Sequence, residues 1–83
     1  MPSQPSSPLR AAVAANIDRA IVAAGLTNRA VGESIGATEH QVWRWRRGRT
    51  RPSQRYAVAL ADVLFDGNVG ALYAGRNAEA EAA

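Results

Sequence analysis

The chain has no cysteine and no lysine, and only one histidine, one phenylalanine and one methionine among its 83 residues. Without cysteine there can be no disulfide framework, no thiolate zinc ligand and no thiol nucleophile. His40 has no company of further ligands, so no metal and no cofactor is expected. No apolar stretch approaches the roughly 20 residues that span a bilayer, and the N-terminus lacks the basic-then-apolar order of a secretory signal. The expectation is a cytoplasmic protein without membrane contact. A Ser/His/Asp constellation and a Gly-rich phosphate loop are missing, so the chain reads as a non-enzyme with no small-molecule ligand. At this length it can form one small domain, which buries only about 60% of the surface its unfolded chain exposes.

What is present is arginine, unevenly placed. All ten basic residues are Arg, and six of them (Arg44, Arg46, Arg47, Arg49, Arg51, Arg55) fall between residues 40 and 56, where there is no acid. That window carries +6; the four other arginines against seven acids leave −3, which restores the overall +3. A local cationic patch of this kind is the footprint of a polyanion binder, with nucleic acid the leading candidate. Trp43 and Trp45 interleave with the arginines, which argues against a merely solvated basic face.

Residues 1–8, MPSQPSSP, hold three Pro and three Ser and are read as a disordered arm. Residues 74–83 end in an Ala/Glu-rich run, read as a flexible tail. Between them the periodicity is helical. Val13, Ile17, Ala20, Ile21 and Ala24 form one stripe on a first helix from about Leu9 to Ala24, stopped by Gly25. Thr27 caps a second helix through Ile35, and Gly36 breaks it. Thr38 starts a third, with Gln41 three residues on in the form of a capping box, and this helix runs to about Arg47 before Gly48. Ser53 caps a fourth helix carrying Ala57, Leu60, Ala61 and Leu64. Asp66-Gly67 is a turn signal, and Asn68 can cap a last short turn with Val69, Leu72 and Tyr73. The fold class is therefore all-α, a compact bundle of five short helices over residues 9–73.

The informative block is 28–47, NRAVGESIGATEHQVWRWRR. Two short helices meeting at a glycine-containing turn of three or four residues make a helix-turn-helix. Val31, Ile35, Ala37, Val42 and Trp45 can all face inward. Gly32 sits where the second helix must approach the third, and Gly36 where the chain reverses with a positive φ.

This block resembles the helix-turn-helix of the phage Cro/repressor family. The flanks are similar too: GLTNRAVGESIGAT to the family's apolar-Gly-Ile-Gly pattern, RWRRGRTRPS to its basic segment with Pro and Ser after the recognition helix, and VALADVL to its fourth helix. The resemblance covers residues 9–73. Two departures are Arg46, where the family often has Glu, and Phe65, where it often has Gly. The resemblance implies a lambda-repressor-like fold and a sequence-specific regulator of double-stranded DNA, a small Cro-like repressor of a phage or a bacterial host. Its recognition helix, 38–47, would lie in the major groove of the operator.

If Val42 and Trp45 face inward, Glu39, His40, Trp43, Arg44 and Arg47 share the outer face of that helix, with Gln41 at its border. Arg44 can donate two hydrogen bonds to guanine or clamp a phosphate. Glu39 can accept from cytosine N4 or interact with the helix dipole. His40 can donate to a base or a phosphate. Gln41 can read adenine or complete the capping box. Trp43 can meet thymine methyls or pack under the arginine-rich connection, whereas Trp45 reads as core. Arg46, Arg47, Arg49, Arg51 and Arg55 are assigned to phosphates, together with Thr27, Asn28, Arg29 and Thr38 at the two helix N-termini.

The resemblance also implies a homodimer, formed in solution or only on DNA, with Phe65, Leu72 and Tyr73 either as the dimer contact or as closure of the core. The competing reading is an antitoxin-type or cofactor-type module of the same fold, whose main partner is another protein.

Overall fold

The computed structural model describes residues 8–74. Of the expected arm over 1–8 only Pro8 is described, and of the expected tail over 74–83 only Ala74; the rest of both readings lies outside the described residues. Five helices follow one another: α1 (Pro8–Ala24), α2 (Asn28–Ile35), α3 (Glu39–Arg46), α4 (Gln54–Leu64) and α5 (Val69–Leu72), and no strand occurs among the described residues. The all-α expectation of five short helices is thus met. Pro8 is already helical, one residue ahead of the expected start, at a position where its missing N–H costs nothing.

The expected caps explain the boundaries. Thr27 accepts from the backbone N–H of Ala30 at the start of α2, and Ser53 accepts from that of Tyr56 at the start of α4. Thr38 and Gln41 close a full capping box on α3. Each such cap satisfies donors the helix cannot use and contributes about 1 kcal/mol. Asn68 precedes α5 as expected, but its side chain makes no cap hydrogen bond. Gly36 ends α2 with φ of 79°, left-handed backbone that other residues adopt only with strain.

The core gathers one stripe from each helix. Val13, Ile17 and Ile21 of α1 pack with Val31 of α2, Val42 and Trp45 of α3, Ala57 and Leu60 of α4, and Leu72 of α5. The α1 stripe is narrower than expected, because Ala24 is exposed and a polar residue, Asn16, takes an interior place. The Asn16 amide donates to the carbonyls of Leu72 (2.8 Å) and Ala74 (2.7 Å) and accepts from Arg19, so this buried group is satisfied. α2 and α3 are each other's principal neighbours. A Cβ on Gly32 would stand 2.6 Å from the Ala37 carbonyl oxygen. The close approach that requires glycine is therefore to the turn between the two helices, rather than to the body of α3.

Candidate nucleic-acid interface

α3 is seated by its inner side. Val42 is fully buried and Trp45 is 4% exposed. The Trp45 ring tilts against Tyr56 with centroids 5.3 Å apart, and the Tyr56 hydroxyl donates to the Gly36 carbonyl at 3.4 Å. One aromatic pair thus ties α3, α4 and the α2–α3 turn together.

The outer side carries the expected residues. Glu39, His40, Arg44 and Arg47 are exposed, and Trp43 is half-buried. His40 and Trp43, one helical turn apart, stack with centroids 5.4 Å apart and planes 14° from parallel. The Arg47 and Arg49 guanidinium groups lie 5.3 and 5.7 Å from the Trp43 centroid. The Trp43 ring packs against the arginine-rich connection through Arg49 and keeps part of its surface exposed. Its ring orders two cations without neutralising them. Arg55 lies likewise 5.5 Å from the Tyr56 ring, and Arg51 is exposed.

Concave surface adjoins α3 in more than one place. A cleft of about 450 Å³ is lined by Asn28, Glu39, His40 and Trp43, which brings the N-termini of α2 and α3 to one surface. His40 also borders a cleft that includes Arg44, Thr50, Arg51 and Tyr56. The surface therefore offers, side by side, a carboxylate, an imidazole, an indole and several guanidinium groups.

Four assignments change. Arg46 is not a free phosphate cation: its Nε donates to Asp18 Oδ1 at 2.8 Å, one terminal nitrogen stands in ion pair 2.8 Å from the same oxygen, and the other terminal nitrogen donates to Asn28 Oδ1 at 2.6 Å. The guanidinium faces back toward α1 and α2 because an acid waits there. Thr38 is not a free phosphate donor either. Its backbone N–H donates to Gln41 Oε1 at 2.8 Å and its hydroxyl to the same oxygen at 3.3 Å. The same bonds occupy the acceptor that Gln41 would need for bidentate adenine recognition, so Gln41 is a cap. Leu72 is fully buried, so of its two roles it closes the core and offers no surface to a dimer contact. Phe65 and Tyr73 are half-buried against the core, with part of each still exposed.

The remaining phosphate candidates keep usable donors. Thr27 is exposed, with its oxygen engaged by Ala30 and its hydroxyl hydrogen still to give. Asn28 has its oxygen engaged and its amide N–H2 to give. Arg29 pairs with Glu33 at 3.2 Å, with both side chains largely solvated, so the pair is weak and easily exchanged.

Three contributors carried no assignment: Asn16, Asp18 and Tyr56. Asn16 had a local signal, a polar residue three positions after Val13 inside an apolar stripe. Asp18 and Tyr56 act on partners 28 and 20 residues away, and nothing adjacent to them in the chain announces it. Among the described residues there is no group of His, Asp or Glu able to hold a metal ion, and no helix long and apolar enough to cross a membrane. No protein-family model matches the chain, and comparison with curated proteins and with solved structures returns no match.

Proposed function

We propose that the protein is a sequence-specific double-stranded DNA-binding regulator of the Cro/repressor type, which inserts α3 in the major groove of an operator. The observation that carries this reading is the two-sidedness of α3. Val42 and Trp45 anchor it from below, while Glu39, His40, Arg44 and Arg47 stand exposed with Arg49, Arg51 and Arg55 around them. Arg44 reads guanine, and Glu39, at the first turn of α3, accepts from a cytosine amine or is a favourable charge at the helix N-terminus. His40 donates to a base or phosphate beside it. Arg47, Arg49, Arg51 and Arg55 neutralise phosphates, joined by the amide of Asn28 and the hydroxyl of Thr27.

Two copies on a pseudo-palindromic site would place their α3 helices about 34 Å apart. With four phosphates neutralised per copy, log K against log salt should fall with a slope of about −7 for the pair. Repression by occupancy of the operator is the mode of action this reading favours.

The test is selection of bound duplexes from a randomised pool, followed by titration of the winner and of a random duplex at one salt concentration. A recurring half-site, bound at least a thousandfold more tightly than the random duplex, is the expected result (specific and non-specific binding differ by about 10³–10⁷). Equal affinity for both would overturn sequence-specific reading and leave a generic polyanion binder.

A further inference from the structure

We infer that Asp18, on α1, limits the sequence-independent part of DNA binding from outside the contact surface: it holds Arg46 away from the phosphates and, through Arg46, fixes the amide of Asn28 with its N–H2 turned outward. The inference rests on the DNA-binding reading and adds a residue to it that touches no DNA.

The geometry leaves little freedom. A guanidinium has donors and no acceptor. Its 2.6 Å contact with Asn28 therefore requires the amide oxygen on the Arg46 side, and leaves the amide nitrogen for another partner. Asn28 is the first residue of α2 and lines the cleft shared with Glu39, His40 and Trp43. A donor in that place, presented in one orientation, fits a phosphate oxygen at the helix N-terminus. Arg46 can hold the amide because Asp18 holds Arg46, through a hydrogen bond from Nε and an ion pair with a terminal nitrogen, both at 2.8 Å to one carboxylate oxygen.

The same pair controls charge. The Arg46 side chain is 21% exposed and that of Asp18 is 50% exposed, so the bridge lies at the surface and not in the core. It borders a cleft that also includes Trp43 and the exposed Arg47. An Arg46 released by loss of Asp18 would have its positive end beside a cation already assigned to the phosphates. Every duplex carries phosphates, so the added attraction would be independent of base sequence. Asp18 thus withholds one arginine from non-specific binding.

The experiment compares wild type, Asp18→Ala, Asp18→Asn, Arg46→Ala, and Asp18→Ala in the Arg46→Ala background. Each is titrated with the selected duplex and with a random duplex across a salt series, with helicity and melting checked by circular dichroism. For Asp18→Ala the random duplex should be bound more tightly at 0.1 M salt by about eightfold for each copy bound, with the slope steeper by about 0.9 per copy. The selected duplex should tighten by a similar factor, with base preference intact, because a phosphate contact is the same for every sequence. In the Arg46→Ala background the same substitution should leave the slope unchanged.

Asp18→Asn keeps an acceptor oxygen but not the charge and should move the same way by a smaller amount; it carries the comparison if Asp18→Ala does not fold. An unchanged slope in a folded Asp18 variant would overturn the inference. So would equal steepening with and without Arg46, since loss of any acid would then explain it. If the wild type binds no duplex at all, the DNA-binding reading falls and this inference falls with it. If the wild type selects a site normally and Asp18 proves silent, only the inference fails.

Discussion

Arg44 and Arg46 leave the same helix two residues apart, yet they belong to different parts of the molecule. Arg44 stands exposed on the outer side of α3, beside His40 and Arg51. Arg46 turns to the flank where α1 and α2 meet α3, and its guanidinium is taken up by Asp18 and Asn28. A run of arginines in a sequence is therefore not a run of equivalent charges. What separates them is the partner each reaches: on the outer side Arg47 and Arg49 lie over an aromatic face, which leaves a cation available, whereas on the flank Arg46 meets a carboxylate, which consumes it. The difference also divides labour within α3 between holding the helix in place and presenting it.

Breaking the holding side should have the largest effect. Trp45→Ala removes a buried indole and its contact with Tyr56, and should destabilise the fold by about 3–5 kcal/mol, a large part of the total stability of a domain this size. Thermal melting would register it, and DNA binding would be lost with the fold.

On the presenting side, Arg44→Ala should leave melting unchanged. It should cost about 1–3 kcal/mol of discrimination at one base position, visible as a single relaxed column when duplexes are selected again. Arg49→Ala sharpens the contrast. It should weaken selected and random duplexes alike and make the salt slope shallower by about one unit per copy, with base preference intact. If Arg44→Ala and Arg49→Ala behave the same, the separation of base reading from phosphate clamping is wrong. Smallest is Thr38→Ala, which removes the cap of α3. It should cost about 1 kcal/mol of stability and touch binding only through that loss.

Much of the fold was legible because its signals are local. Thr27, Thr38 and Ser53 announce helix starts, Gly36 announces a reversal, and Val31, Val42, Ala57 and Leu60 mark apolar faces within a few residues of each other. The outer side of α3 was legible for the same reason: once Val42 and Trp45 are assigned inward, the helical period places Glu39, His40, Arg44 and Arg47 outward.

What was not legible depends on pairs distant in the chain. Arg46 looks like any member of the basic run until α1 brings Asp18 beside it. An arginine in a place where the resembling family often has an acid was the one clue, because an inverted charge asks for an inverted partner. Gln41 illustrates a different limit. Cap and base reader use the same amide oxygen, and only the observed hydrogen bonds with Thr38 show which has it.

The Asn16 amide also decides where the domain stops. α5 is a single turn that a scan for large elements would discard, yet its last residue and Ala74 supply the two carbonyls that this interior side chain requires. A fragment trimmed to end before Leu72 would strand two donors beneath α1 and open the apolar floor that Leu72 covers. The shortest autonomous unit therefore reaches Ala74, and any fusion or deletion at the carboxyl side has to begin beyond it.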